Sequence, residues 1–482
     1  MNIQPWKTIN FKDLFPTTSL PNNQIKYGAP NDFGKVIHEL LFAKSVAGTS
    51  DRFLSDVRLV AEIEGFNVRE SRDMCPVRDY RVMISNDEFL SPNVSDQVKQ
   101  AADRCYKRSL FCKNHAHLLR SDKKHGHVGL GAVGVEGKAI VLRNAAPSDQ
   151  YPSELPHQAK NQSARIYFEG GNLFQITGLD GKKRVIFGED NVTVTHQLMR
   201  LTGLFKNPSD YLEGKIPEMI GEIGKRIAQD ISSAVVERTL GKMASMGLVL
   251  QDFTVTAETT AIAVNYLAQK QFIEQIMIPK ELKVAASQMI HLPQIDYHED
   301  LLMTPGPNGT ILLQDYKQSV LLLERVKREL TDKSDRELID LFIFTTKEDG
   351  GRVKGVMEKA KQALEQAGLR VIPTPGAFFA PPTSEMKLMV NFLNAITGFS
   401  PKTNHYYYIV GGTSVGLKLG ALLMDAYAQF LQSLCPDKIN LYYVGRDLRK
   451  PTDFSLVDHV LNNRDAMMGV HCLSLETKIE AL

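Results

Sequence analysis

Cysteine is scarce and odd in number: five in 482 residues, at Cys75, Cys105, Cys112, Cys435 and Cys472. A secreted disulfide framework calls for an even set in a short chain, so a reducing, cytoplasmic setting is expected. Neither sign of charge is in excess. Lys plus Arg number 57 against 55 Asp plus Glu, a net charge of +2. The clustered basic excess of a nucleic-acid binder is missing, and Arg120 with Lys123 and Lys124 makes only a short basic loop. Long apolar runs are absent too. The most apolar stretch, 406–431, is broken by Lys418 and Asp425, so no segment reaches the ~18–20 residues of a membrane span. Residues 1–13 carry Trp6, Lys7, Asn10 and Lys12 and show no apolar core of a secretory signal.

What remains is ordinary for a folded protein. Hydrophobic residues at 43% and charged residues at 23% exclude disordered, collagen-like and fibrous classes. At ~100–200 residues per domain, the length allows two to four domains or one large one.

The pattern along the chain is α/β. Residues 1–65 read as an irregular Pro- and Asn-rich N-terminal segment followed by helices, on the spacing of Val36, Leu40, Leu41 and Val46 and then of Phe53, Val57, Val60 and Ile63. Gly65 can end the second helix. Strands are expected at Tyr80–Ile84, Ala139–Leu142, Ile166–Phe168, Leu173–Ile176 and Arg184–Phe187, and a helix over 95–110. Over about 196–290 the period becomes helical: Ile216, Ile220, Ile223, Ile227, Ile231 and Val235 recur every three or four residues. This is a helical insertion, expected either to cover the mouth of a pocket or dock a partner, or to serve as a stabilising flank or an oligomer contact. Helix and strand then alternate to the C-terminus, with strands at Leu301–Thr304, Thr310–Leu313, Leu341–Thr345, Leu369–Ile372, Met389–Phe392, Tyr406–Val410 and Ile439–Val444.

A short polar signature recurs beside several strands. The instances are Arg78-Asp79, Glu169-Gly170-Gly171-Asn172, His298-Glu299-Asp300, Asn391-Phe392-Leu393-Asn394 and Gly469-Val470-His471-Cys472. A supersecondary unit repeated about an axis would bring such signatures to one place. Taken singly they are weak. Cys472 reads better as a buried structural cysteine, His298 and Asp300 read as a polar edge strand with both side chains on one face, and Glu169 before two glycines reads better as an ordinary turn.

In combination they carry more. PVRDYRVMIS, FEGGNLF, DYHEDLLMTP, NFLNAI and GVHCLS, in this order, resemble the signatures of the guanidino-group-modifying enzymes, the pentein superfamily of arginine, agmatine and peptidylarginine deiminases, dimethylarginine hydrolases and amidinotransferases. The resemblance implies a five-bladed α/β propeller of ββαβ units within a catalytic body over 66–482. It also implies Cys472 as nucleophile, His298 as general acid/base and Glu169 as a catalytic carboxylate contacting the histidine or the guanidinium. Asp79, Asp300 and Asn172 would bind the substrate. No metal and no organic cofactor are implied. The partner would be a small guanidino compound or a protein arginine, with no nucleic acid and no membrane span, and self-association into a homo-oligomer stays open.

The residue types suit that chemistry. A guanidinium is planar and cationic, and two carboxylates can grip its N–H edges and fix its carbon for attack. A thiolate adds to that carbon, and a histidine protonates the departing nitrogen and then activates water. The expected activity is hydrolysis by a deiminase, releasing ammonia and a ureido product. An amidinotransferase would use the same covalent intermediate, and a non-catalytic binding propeller is the reading from another class. The family's glycine-rich run before the cysteine is here Ala466-Met467-Met468-Gly469, which leaves the far end of the substrate open. Arg446 and Arg464 are candidates for a substrate carboxylate.

Three further signals compete. Gly129–Gly134 fits G-x-G-x-x-G but leads to a strand rather than a helix, and Gly411–Gly416 resembles a phosphate loop with Leu417 where Lys is needed. Cys105, Cys112, His115, His117, His125 and His127 fit no standard zinc spacing.

Overall fold

The computed structural model describes residues 36–43, 51–71, 82–85, 88–92, 129–135, 138–143 and 160–164, most of 166–445, and 470 and 474–480. Within 166–445 the described residues exclude 167, 169, 179, 203–204, 206–210, 246–247, 250–252, 296–298, 307–308, 380–387, 414, 417 and 435–438. The helix expected over 95–110 and the histidine-rich loop after it lie outside the described residues.

The described elements begin with β1 (Val36–Ala43), α1 (Asp51–Glu64) and β2 (Asn67–Ser71). Next come β3 (Val82–Ser85), β4 (Glu88–Pro92), the hairpin β5 (Gly129–Val135) and β6 (Lys138–Arg143), and β7 (Lys160–Ala164). After these follow β8 (Leu173–Thr177), β9 (Lys183–Gly188) and the helices α2 (Glu189–Thr202), α3 (Ile216–Asp230), α4 (Ser233–Ser245), α5 (Ala257–Phe272) and α6 (Ile278–Leu282). β10 (Met289–Leu292) closes that group. β11 (Met303–Gly306), β12 (Thr310–Gln314), α7 (Tyr316–Glu329), α8 (Lys333–Gln366) and β13 (Arg370–Thr374) succeed it. The chain ends with the pair β14 (Ala377–Phe379) and β15 (Met389–Asn391), then β16 (Ile396–Ser400), β17 (His405–Gly411), α9 (Leu419–Leu434), β18 (Ile439–Val444) and β19 (Ser474–Glu480).

The architecture is mixed α/β with several small sheets. Among the described residues, five sheets have three strands and share one plan: an antiparallel pair, then a crossover to a strand parallel to the second. These are β3-β4-β7, β8-β9-β10, β11-β12-β13, β16-β17-β18 and β19-β1-β2. The last is assembled from both ends of the chain, since β1 pairs antiparallel with β19 and parallel with β2. Parallel partners cannot be joined by a tight turn, which is why a helix fills the crossover wherever the connection is described.

Packing joins these units. Ile186 and Ile290, Leu312 and Phe342, and Tyr408 and Tyr427 share one large core drawn from three successive units. A second core places α3, α5 and α6, through Ile216, Phe272 and Ile278, against Val185 and Phe187. Alternate residues of β9 therefore face different cores, and the helices expected as an insertion form the β9-to-β10 crossover layer on one face of the sheet. The first unit is tied to the fifth. Val57 and Val60 of α1 pack with Ile396, Tyr407 and Tyr442, and the buried Glu64 carboxylate accepts from Thr403 Oγ1 (2.8 Å), Asn440 Nδ2 (2.9 Å) and Tyr442 OH (2.5 Å).

Two sequence expectations are corrected. Val36–Ala43 is a strand, not a helix: it lies between two partners and is buried on both faces, and such a continuous apolar run also satisfies helical spacing. Leu341–Thr345 is the middle of the 34-residue α8, not a strand. Its β-branched and aromatic residues favour a strand locally, but Leu338, Ile339, Phe342 and Ile343 form a helical stripe into the core, and burial outweighs propensity. Ile166 and Phe168 are buried in irregular backbone instead of a strand.

Buried titratable groups tie down the helical layer. Burial alone would raise the Glu189 carboxyl, but Lys270 and Lys242 outweigh it and hold it at about 2. His196, buried and bonded to Gln269 (2.8 Å), is pushed by burial down to about 4, and burial lowers His291 as well. Both imidazoles are neutral when folded and protonate below pH 6.5 once unfolded, so the unfolded chain binds more protons there. Stability is expected to fall as pH drops from 6.5 through about 4, with the His196 share on the order of 3 kcal/mol. Urea midpoints measured between pH 7.5 and 4 check this. His196→Asn should flatten the slope, and an unchanged slope would refute the assignment.

Candidate functional site

Each of the five polar signatures stands a few residues before the first strand of a three-stranded unit: Asp79 before β3, Asn172 before β8, Asp300 before β11, Asn394 before β16 and Cys472 before β19. Asp79, Glu169, His298 and Cys472 lie outside the described residues, as do His471, Arg446 and Arg464. Asn172 and Asp300 are described, and the turns that hold them meet.

Gly170–Asn172 and Glu299–Leu301 are single 3-10 turns. Asp300 therefore belongs to a tight turn ahead of β11, not to the strand expected from the His-x-Asp spacing. The Asn172 side-chain oxygen accepts from the Glu299 backbone N–H (3.0 Å) and from Gln294 Nε2 (2.9 Å). Its carbonyl accepts from Asn191 Nδ2 at 3.3 Å. The close fit requires glycine at 188, where a Cβ would come within 2.8 Å of Gln294 Oε1 and 3.3 Å of Asn172 Cβ.

The next junction repeats the device. Asn391 Nδ2 donates to the Leu301 carbonyl (3.0 Å) and Asn394 Nδ2 to the Asp300 carbonyl (3.3 Å). Asn391 Oδ1 accepts from the backbone N–H groups of Leu393 (2.9 Å) and Asn394 (3.3 Å), which shapes its own turn. Tyr408 OH donates to the Phe392 carbonyl at 2.6 Å. Burial, with Tyr427 alongside, holds that phenol far above its ordinary range, so it is a neutral donor. Three successive signatures are thus linked by hydrogen bonds across unit boundaries, with the Glu299 and Asp300 side chains buried at 0% and 1% exposure. A turn fixed this way holds its carboxylates with little freedom to reorganise.

Sequence reasoning assigned no role to Glu299, Asn391, Asn394, Gln294 or Asn191. The recurrence of asparagine at the end of EGGN and at both ends of NFLN was the available signal, because Asn alone offers an amide that both donates and accepts within a tight turn.

The competing glycine-rich runs resolve differently. Gly129–Gly134 lies within β5 of a hairpin, so it opens no helix. Gly411–Gly416 does precede α9, but the anion there is internal: Asp335 Oδ2 accepts from the backbone N–H groups of Lys418 (2.8 Å) and Leu419 (3.0 Å). A helix N-terminus attracts negative charge, and here a carboxylate of α8 supplies it. The zinc-like loop lies outside the described residues, and among the described residues no cluster of His, Cys, Asp or Glu is arranged to hold a metal.

No family model matches the chain, and no curated protein does. Among solved structures, C. jejuni agmatine deiminase is similar with a TM-score of 0.34 and 11% identity, over 92% of this chain and 94% of that one. A likeness that distant assigns neither fold nor chemistry, and the site rests on its own contacts. Among the described residues, no helix is long and apolar enough to cross a membrane.

Asn172→Ala and Asn391→Ala each strand buried backbone groups on the neighbouring turn. Each is expected to lower stability by about 1–3 kcal/mol, whereas the exposed Gln175→Ala should stay within about 0.5 kcal/mol. Urea unfolding reads this directly. Asparagine variants indistinguishable from the Gln175 control would show that the linked turns contribute nothing.

Proposed function

We propose that the chain is a cysteine-dependent hydrolase of a guanidino group, a deiminase built as a five-bladed propeller. The observation that carries the reading is the hydrogen-bonded run of Asn172, Glu299-Asp300-Leu301 and Asn391-Asn394 at the heads of three successive ββαβ units. Five units of one topology, the first closed by the C-terminal strand, support a ring. In a ring, the heads of all five units converge, which would bring Asp79 and Cys472 to the same place. The catalytic body over 66–482 then carries the helical layer of its third unit, and β1 and α1 complete its first.

In this reading Asp79 and Asp300 grip the guanidinium, Asn172 sets the turn beside them, and Glu169 orients His298. The Cys472 thiolate adds to the guanidinium carbon. The C–N bond to the leaving nitrogen breaks as His298 protonates it, ammonia departs, and an amidino-thioether remains on Cys472. His298 then takes a proton from water, which attacks the same carbon, the C–S bond breaks, and the ureido product leaves with the thiolate restored. Carboxylates matter because the substrate is a cation, and a thiolate is favoured beside that cation and a protonated imidazole.

A panel of guanidino compounds, scored for ammonia, ureido product and amidine transfer to added amines, tests the class. Transfer without ammonia would make it an amidinotransferase, and turnover of no member would favour the binding propeller. Cys472→Ala is expected to abolish turnover with the unfolding midpoint retained, while the other four cysteines tolerate Ser. Asp79→Asn and Asp300→Asn should each lose about 2–5 kcal/mol of transition-state stabilisation, read as kcat/KM. Near-normal kinetics in both would refute the guanidinium grip.

A further inference from the structure

The fourth unit carries a cavity on its helical side that includes none of the signature residues. It has a volume of about 780 Å³ and opens between the C-terminal ends of β12 and β13 and the helices α7 and α8. That is the size of a small-molecule site. Its apolar lining includes Val320, Met357, Val371 and Leu321, and Leu321 is 60% exposed, an unusual position for a large aliphatic side chain on a helix with a buried face.

Four lysines border it: Lys317 in the first turn of α7, and Lys347, Lys354 and Lys361 on α8. The α8 lysines recur every seventh residue and so share one helix face. Lys347 is paired with Glu324 (3.1 Å) and Lys361 with Glu365 (3.7 Å). Lys317 and Lys354 have no ion-pair partner among the described residues. Asp315, also in the lining, already accepts from the Gln318 N–H as the cap of α7. Glu358, four residues after Lys354 on α8, also borders the cavity. The cavity therefore combines apolar walls with two ammonium groups outside any ion pair among the described residues and one exposed carboxylate at its edge.

Two further observations point to an occupant. Thr346, 3% exposed and in the lining, has a buried hydroxyl with no hydrogen-bond partner, whereas the adjacent Thr345 hydroxyl donates to the Leu341 carbonyl at 3.1 Å. A buried hydroxyl left unpaired is costly unless a bound molecule supplies the acceptor. The α8 helix also contains Gly350-Gly351, which weakens a helix by about 1 kcal/mol per glycine relative to alanine. Gly350 is explained by contact, since a Cβ there would lie 2.7 Å from Tyr316 Cβ. Gly351 is not: a Cβ there would meet nothing within 4 Å, and the residue lines the cavity. Glycine at 351 keeps the space open.

We propose that this cavity binds a small elongated apolar molecule with one anionic head group. The apolar body lies along Val320, Leu321, Met357 and Val371, the head group is held by Lys317 and Lys354, and Thr346 donates to an oxygen of the ligand. The proposal does not rest on the guanidino reading.

Decanoate is a suitable probe, titrated calorimetrically below its micellar range into the full chain, with decyltrimethylammonium and decanol in parallel. Saturable 1:1 binding of decanoate at least tenfold tighter than either control is expected. Lys317→Gln with Lys354→Gln should weaken decanoate at least tenfold while leaving decanol unchanged. Gly351→Leu, whose Cβ meets no existing atom, should weaken decanoate at least tenfold by placing a side chain in the lining. Circular dichroism confirms that each variant is folded. Equal binding of the cationic probe, undiminished binding in Gly351→Leu, or no saturable binding of decanoate would each overturn the proposal.

Discussion

The protein depends on how its units satisfy one another's polar groups in a dry interior. The Asn172 amide reaches forward to the turn of Glu299, and the turn containing Leu301 is held in turn by Asn391 of the following unit. These groups are nearly inaccessible to water, so each unit supplies what its neighbour would otherwise take from solvent. A backbone donor or acceptor buried without a partner is expensive, and this makes the junctions specific as well as cohesive. The same contacts immobilise the short turn that contains Asp300.

The junction of the first and fifth units uses another chemistry for the same purpose. The helix α1 docks on the fifth unit through Val57 and Val60, but its orientation is set by two acids. Glu64 gathers three side-chain donors, and Asp56 accepts from the Gly445 backbone N–H at 3.0 Å. Because β1 also takes β19 as a partner, both ends of the chain are committed to one sheet. Pairing on both sides makes β1 the central strand, with β19 and β2 at the edges of that sheet.

Helices are then added outside the sheets, each with its own fastening. The α5 start is held by a reciprocal cap between Thr256 and Thr259, α7 by Asp315 and α8 by Asp332. Glu189 binds α4 and α5 through Lys242 and Lys270. The α8 helix is the most informative. It spans 34 residues, tolerates two internal glycines, sends Asp335 to the start of α9 and borders the lysine-rimmed cavity. A helix occupied with so many tasks cannot be optimised for helical propensity alone.

Much of this was legible beforehand. The α1 stripe of Val57 and Val60 with Gly65 as terminator, the hairpin of β11 and β12 around its turn residues, and the apolar α9 all follow from local periodicity and turn chemistry. So did the recurrence of polar signatures at unit heads, because a repeated unit repeats its local demands. Periodicity misassigned β1 and the middle of α8, where the deciding factor was burial against partners far away in the chain. It also left Asn391, Asn394 and Glu299 without roles, since a turn's hydrogen-bonding capacity is written in the residue but its recipient is not. The sequence by itself set the order of the five polar signatures and, through a resemblance, the residues proposed for guanidino chemistry. Only the tertiary structure decided that the turns of Asn172, Asp300 and Asn394 share hydrogen bonds, because partners more than ninety residues apart are joined by packing and not by spacing.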